Sequence, residues 1–192
     1  HHHWLMVTAA LPAWLLRQPV QLAYSRREEF EAGWKQHPFR FDYQVGATRD
    51  GRLTALLARS VGDAGPYGGA PAIAPFVALC GAGPYVWQAI DYEVRVAHTH
   101  GPNSGSMRGY GMPQGVYGLE CSLDELAAAL GIDPWELRWL NAADRVACTG
   151  QPFDDPFGFR AVLEAIRPEW QQACETACRQ TASYGEERWG AG

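Results

Sequence analysis

The stretch Gly101-Pro-Asn-Ser-Gly-Ser-Met-Arg-Gly-Tyr-Gly-Met-Pro-Gln constrains this chain more than any other part of it. Its four glycines and two prolines leave no room for a strand or helix and little side-chain bulk, apart from Met107, Arg108 and Tyr110. Glycine on both sides of Tyr110 allows a positive φ and a close approach of another group to the main chain. A helix is expected to begin at once, near Pro113 or Gln114, with free N–H groups and the positive end of its dipole toward the loop. Such a loop suits a bulky, anionic ligand. A plain surface loop can be equally rich in glycine, and composition does not choose between the two.

The rest of the chain sets the frame. Its 192 residues suffice for one domain with a buried core. A hydrophobic content of 47% with 19% charged residues is that of a globular protein, not a disordered one. The net charge of -5, without any run of Lys or Arg, excludes an electrostatic nucleic-acid surface. The apolar stretch from Trp4 to Leu16 is too short to span a membrane and contains Pro12, so it reads as a buried helix. No export signal is evident, which points to the cytoplasm. The chain does not begin with Met, so a signal on a longer precursor or a partner, and with it a periplasmic location, stays open.

Five cysteines (Cys80, Cys121, Cys148, Cys174, Cys178) lack zinc-type or iron–sulfur spacing and read as free thiols. His1, His2 and His3 could be a tag remnant, a metal-binding tract or native residues.

Along the chain, a helix is expected over 4–16, a short strand over 20–24, and a charged helical turn over 26–34. Residues 39–48 and 53–61 alternate and flank Asp50-Gly51, which predicts an antiparallel hairpin. Residues 62–84 hold Pro66, Pro71, Pro75 and Pro84 and predict a long ordered loop with one helical turn. A strand over 92–98 is expected to pair with the hairpin. Val116, Leu119, Leu123, Leu126, Ala127 and Leu130 recur at helical spacing, predicting a helix over 114–130 with one buried face. Asp133, Pro134 and Glu136 then stand as N-cap, N1 and N3 of the next helix. Two further helices, 157–166 and 169–183, are expected on either side of Pro168. The order hairpin, strand, loop and helices gives an α+β domain. Residues 1–100 are mainly strands and loops, 101–113 the ligand loop, and 114–184 mainly helical.

The segment Ser106-Met-Arg-Gly-Tyr-Gly-Met-Pro-Gln, the run Val116-Tyr-Gly-Leu-Glu, and the run from Asp124 through Gly131-Ile-Asp-Pro-Trp-Glu-Leu-Arg-Trp-Leu-Asn141 resemble the large subunit of the xanthine dehydrogenase/aldehyde oxidase family of molybdenum hydroxylases. Upstream, Gln18-Pro-Val-Gln-Leu-Ala-Tyr-Ser-Arg-Arg-Glu-Glu-Phe and His37-Pro-Phe-Arg-Phe match the same family in collinear order, so the resemblance runs from about Pro19 to about Pro168. It implies part of a molybdenum cofactor-binding domain and a small-molecule substrate, an aldehyde or aromatic heterocycle, oxidised with water as the oxygen source. It implies molybdopterin, alone or as the cytosine dinucleotide, with 2Fe-2S clusters and FAD on partner domains or subunits. The remainder of the large subunit would be a further partner.

Carried over residue by residue, Met107, Arg108 and Gly109 would bind the cofactor and Tyr110 would contact the substrate. No residue is implied as catalytic or as a metal ligand. Met107 stands where the family often has an aromatic residue. Gly109 stands where carbon monoxide dehydrogenases carry a copper-binding cysteine, which argues against a copper–molybdenum site. Purine-oxidising members place an arginine in the segment resembling 71–79. Here that segment is apolar, with Val77 near the equivalent place, which tilts the expectation toward aldehydes or less polar aromatic substrates. The family's glycine-rich loop would stand before residue 1 and its catalytic glutamate far downstream. Glu120, Asp124, Glu125 and Glu136 read as helix faces and caps, not as substitutes for that glutamate. Two expectations follow: a part of such an enzyme, completed by further chain or partners, or a non-catalytic interaction module derived from one.

Overall fold

The computed structural model describes residues 3–67, 72–152 and 158–184. The readings of His1 and His2, of Pro71 and of a helix start at Phe157 lie outside these residues. So does the side chain of His3.

Alternation of bulky residues produces the strands. β1 (Phe39–Ala47) and β2 (Leu53–Gly65) form the hairpin, whose turn closes through Thr48 N–H to the Arg52 carbonyl at 2.9 Å and Gly51 N–H to the Thr48 carbonyl at 2.9 Å. β3 (Ala89–His98) completes a three-stranded sheet of order β1-β2-β3. Gln88 N–H reaches the Thr54 carbonyl (3.1 Å) at one end and Thr99 N–H the Gly65 carbonyl (3.2 Å) at the other. Both sequences ascend together, so β3 runs parallel to β2, and the residues between them form a crossover that contains the short helix α3 (Ala74–Cys80).

The chain divides into two compact units. The first comprises His1–Asp42, Ala58–Gly81 and Tyr92–Tyr117; the second Tyr43–Leu57, Ala82–Asp91 and Gly118–Gly192. In the first, Ala58, Ala64, Ile73 and Val77 are buried. Its helix α2 (Arg26–Ala32) starts at a capping box, Ser25 accepting from Glu28 N–H while the Glu28 carboxylate accepts from Ser25 N–H at 2.7 Å. In the second, Leu53, Leu56, Tyr85, Leu119, Leu123, Trp135, Leu137 and Leu163 form the core.

The helix α4 spans Met112–Leu130. Its buried residues Gly115, Leu119, Leu123 and Ala127 stand four apart. Leu126, expected in the core, is half-buried because the stripe is that narrow, and Val116 is exposed for the same reason. The helix α5 (Pro134–Asn141) starts as its sequence predicts: Asp133 accepts from Trp135 N–H at 2.7 Å and Glu136 N–H at 3.2 Å.

Three expectations fail. Residues 20–24 form no strand, since alternation alone supplies no neighbour for their backbone groups. The helix α1 (His3–Leu16) forms across Pro12, but Met6, Val7, Leu11, Trp14, Leu15 and Leu16 are exposed, not buried. Its apolar residues surround the whole helix, and only Leu5, Ala9, Pro12 and Ala13 among those described are half-buried. Pro168 does not divide two helices either: α6 runs Phe159–Tyr184 through it. Contacts to α5 hold both sides of the proline. Leu163 accepts from the Trp135 indole at 2.8 Å, Arg167 bonds Glu136 at 2.7 Å, and the Trp170 indole donates to Asp133 at 3.2 Å. These offset the backbone hydrogen bond that proline removes.

No helix of the described residues is long and apolar enough to cross a membrane. Among the described residues, none of the five cysteines forms a disulfide.

Candidate functional site

Residues 99–111 leave β3 and enter α4 from a root fixed by polar contacts within the first unit. The Asp63 carboxylate accepts from the Thr99 hydroxyl and the Gly65 N–H, both at 2.7 Å. Those two donors, the hydroxyl foremost, hold its carboxyl below the usual carboxylate range. Thr99 in turn accepts from Gly101 N–H at 3.0 Å. Further along, Lys35 and Ser104 form a parallel bridge, with Lys35 N–H to the Asn103 carbonyl (2.9 Å) and Gly105 N–H to the Lys35 carbonyl (2.8 Å). The loop is therefore ordered before it reaches its tip.

At the tip, Gly109, Tyr110 and Gly111 take φ values of 93°, 53° and 97°. Three left-handed residues in succession turn the chain sharply, and Tyr110 N–H closes the turn onto the Met107 carbonyl at 2.8 Å. Tyrosine in this region carries strain of roughly 1–3 kcal/mol, a cost that clusters at functional sites. A Cβ at Gly111 would lie 2.7 Å from Val77 Cγ2 and 3.1 Å from the Ile73 carbonyl, so only glycine lets α3 seat against the turn. A Cβ at Gly109 would meet Pro113 at 2.7 Å.

The turn leaves Met107 49% exposed, Arg108 and Gly109 exposed, and Tyr110 half-buried. Among the described residues Arg108 makes no hydrogen bond or ion pair. The Tyr110 ring meets the Phe76 ring edge-to-face, centroids 5.2 Å apart and planes at 82°. Val77, which the resemblance sets near the place of the arginine of purine-oxidising members, is fully buried against Gly111. Its neighbour Phe76, 38% exposed, turns outward on α3, as do Pro75 and Leu79. No sequence signal marks Phe76: a seven-residue helix in a proline-rich segment shows too little periodicity to say which residue turns outward.

The same unit holds three buried polar atoms without a partner among the described residues: His37 Nε2, Asn103 Oδ1 and Gln114 Oε1. His37 donates its Nδ1 proton to the Asp63 carbonyl at 2.8 Å, which leaves Nε2 a bare acceptor when the ring is neutral. Gln114 Nε2 lies 3.5 Å from the His37 carbonyl. Unpaired buried acceptors cost roughly 1–3 kcal/mol each, so a ligand or water with donors suits them. Asn103 and Gln114 were legible only as members of the loop motif.

Of the acidic residues expected as helix faces and caps, Glu120 is instead half-buried in an ion-pair network that includes Asp124, and Glu136 pairs with Arg167 at 2.7 Å. Glu120 takes Arg138 Nε at 2.8 Å and the Tyr85 hydroxyl at 2.8 Å, while Asp124 pairs with the same guanidinium at 2.8 Å. Burial, then the Glu120 charge, raises the Tyr85 phenol far above its ordinary range. No group of three or more His, Cys, Asp or Glu residues suited to a metal occurs among the described residues.

The family described as molybdopterin cofactor-binding domain matches residues 1–142. The nicotinate dehydrogenase large molybdopterin subunit of Eubacterium barkeri is 35% identical over 161 residues, covering 82% of this chain and 38% of that protein. The aldehyde oxidoreductase of Megalodesulfovibrio gigas is 31% identical over 178 residues, covering 91% of this chain and 19% of that one. A solved aldehyde oxidoreductase from Desulfovibrio gigas superposes with a TM-score of 0.76 over 88% of this chain and 19% of its own, at 31% identity. A carbon monoxide dehydrogenase from Oligotropha carboxidovorans shares the fold, with a TM-score of 0.74, 21% identity, and coverage of 94% of this chain and 24% of its own. The chain thus spans well under half the length of these relatives. On the match over residues 1–142, it belongs to the molybdopterin cofactor-binding domain family of xanthine dehydrogenase and aldehyde oxidase large subunits.

Proposed function

We propose that this chain supplies one wall of the cofactor and substrate pocket of a molybdenum hydroxylase that oxidises an aldehyde or an aromatic heterocycle. The observation that carries the reading is the strained Gly109-Tyr110-Gly111 turn, which presents Tyr110 beside an exposed Arg108 that is unpaired among the described residues. The residues fit a molybdopterin. Arg108 offers a guanidinium for its phosphate. Asn103 Oδ1 and Gln114 Oε1 are buried acceptors suited to the N–H groups of a pterin. Met107 and Gly109 would line the same group through their backbone, and a glycine at 109 keeps that approach open. When bound, the cofactor supplies the oxidising centre, with water as the source of oxygen. This chain's part is to bind and to orient: Arg108 holds charge, and the Tyr110 ring offers a face on which a planar substrate stacks.

Iron–sulfur and flavin carriers on other domains or subunits would remove the electrons, and the rest of a large subunit would complete the pocket. The names of the relatives, nicotinate dehydrogenase and aldehyde oxidoreductase, support the two substrate classes.

The test is a graft of residues 101–115 into the matching loop of the Megalodesulfovibrio gigas enzyme, with and without Tyr110→Ala. The expected result is about three- to tenfold weaker apparent affinity for an aromatic aldehyde, with molybdenum content and melting temperature held. A ring that merely plugs the core would instead cost roughly 3–5 kcal/mol on truncation, with kinetics per bound molybdenum unchanged. That second outcome would favour a non-catalytic module.

A further inference from the structure

The four-residue spacing of Cys174 and Cys178 sets both thiols on one face of α6, where side chains one turn apart have Cβ atoms roughly 5–6 Å apart. We propose that this pair is a two-coordinate site for a soft cation of the copper(I) class, each sulfur binding as a thiolate. A disulfide needs Cβ atoms only about 3.5–4.5 Å apart, so the helix keeps the two residues too far apart to form one without unwinding. A cation held linearly between the sulfurs adds two metal–sulfur bonds, each roughly 2.3 Å in zinc thiolates, and spans that gap. Thiolate sulfur is soft and selects copper(I) over harder ions. Zinc takes four ligands, and no group of three or more His, Cys, Asp or Glu residues suited to a metal occurs among the described residues. Copper(I) is stable with two thiolates.

Packing within the second unit sets where the pair stands. Leu163, Arg167, Trp170, Cys174 and Ala177 follow one another along α6 at steps of four and three residues. The first three hold α5: Leu163 accepts from the Trp135 indole, Arg167 pairs with Glu136, and the Trp170 indole donates to Asp133. Ala177, close to one turn beyond Cys174, is buried. Cys174 is therefore half-buried on the gripped face of the helix, while Cys178 is exposed at its rim. A cation enters from solvent past Cys178 and is shielded on the side of Cys174. Burial, then the Asp133 carboxylate and Cys178, raise the Cys174 thiol, so the metal-free residue keeps its proton and is no activated nucleophile. Binding converts two thiols and one copper(I) ion into a bis-thiolate complex of charge −1 and releases two protons. No other two cysteines share a helix: Cys80 belongs to α3, Cys121 to α4, and Cys148 stands outside the helices.

The experiment titrates the reduced 192-residue chain, without oxygen, into the coloured copper(I)–bicinchoninate complex and reads the colour lost as copper moves to the protein. Wild type should take up one copper(I) ion per chain in competition with the dye. Cys178→Ser should weaken that uptake about a hundredfold or more, since disturbing only the surroundings of a metal ligand already costs about 10–100-fold. Cys174→Ser should do the same and supplies the reading if Cys178→Ser fails to fold, whereas Cys121→Ser should leave uptake unchanged. A rearranged pair, Cys178→Ser with Glu175→Cys, keeps the number of thiols but sets them on adjacent residues that do not face each other. It should bind as weakly as Cys178→Ser alone. A wild-type chain that leaves the dye complex intact, uptake that survives the loss of either cysteine, or full uptake by the rearranged pair would overturn the site.

Discussion

Asn141 shows how much one side chain can hold. Its carbonyl Oδ1 accepts from Leu53 N–H at 2.9 Å, and its Nδ2 donates to the Gly51 and Leu137 carbonyls, each at 2.8 Å. The residue is buried, so these backbone groups have no water to replace it. Asn141→Ala should therefore cost about 2–4 kcal/mol in chemical denaturation, more than any exposed substitution would. A loss below about 1 kcal/mol would mean that the turn finds other partners. Asp63 has a subtler role. Its folded-state carboxyl titrates below its ordinary value, so the stability it adds is present above that value and is lost as the pH falls through the lowered one. Thr99→Val removes the largest cause of the lowering. The difference in melting temperature between wild type and variant should be full near neutral pH and shrink below about pH 4. A difference that stays constant to lower pH would show that the hydroxyl acts only through Gly101.

At the scale of elements, the sequence makes some features plain and hides others for physical reasons. Asp50-Gly51 between two alternating runs is a local signal, and the hairpin forms where it stands. The Asp133-Pro134 start of α5 is local too. The parallel pairing of β3 with β2 is not, because it depends on a crossover of many residues with no periodicity of their own. Residues 20–24 alternate like a strand yet lack a neighbour. In the candidate site, glycines on both sides of Tyr110 announced the left-handed turn, whereas Phe76 and the unpaired His37 Nε2 arise from long-range contacts that no short motif encodes. Pro168 is the clearest case of tertiary structure overriding a local rule. The proline breaks an α-helical hydrogen bond, but Trp135, Glu136 and Asp133 of the preceding segment grip α6 before and after it. Pro168→Ala should keep those grips and restore the bond, raising stability by about 1–3 kcal/mol. Unchanged or lowered stability would indicate that the proline's own packing matters more than the missing bond.

For the whole molecule, the chain contains an α+β portion of the molybdopterin cofactor-binding domain family. It spans 38% of one relative and 19% of another. The exposed apolar helix α1 fits that proportion, since a helix hydrophobic on all sides is normally covered. Purified alone, the 192-residue chain is expected to hold little or no molybdenum and to show no turnover of xanthine or aldehydes with a dye acceptor. The most direct measurement is elemental analysis of the folded graft of residues 101–115 in the Megalodesulfovibrio gigas enzyme. A cofactor-binding loop predicts molybdenum per chain close to that of the parent enzyme. A graft that folds with the parent's melting temperature but carries no molybdenum would contradict the assignment of Met107, Arg108 and Gly109 to the cofactor.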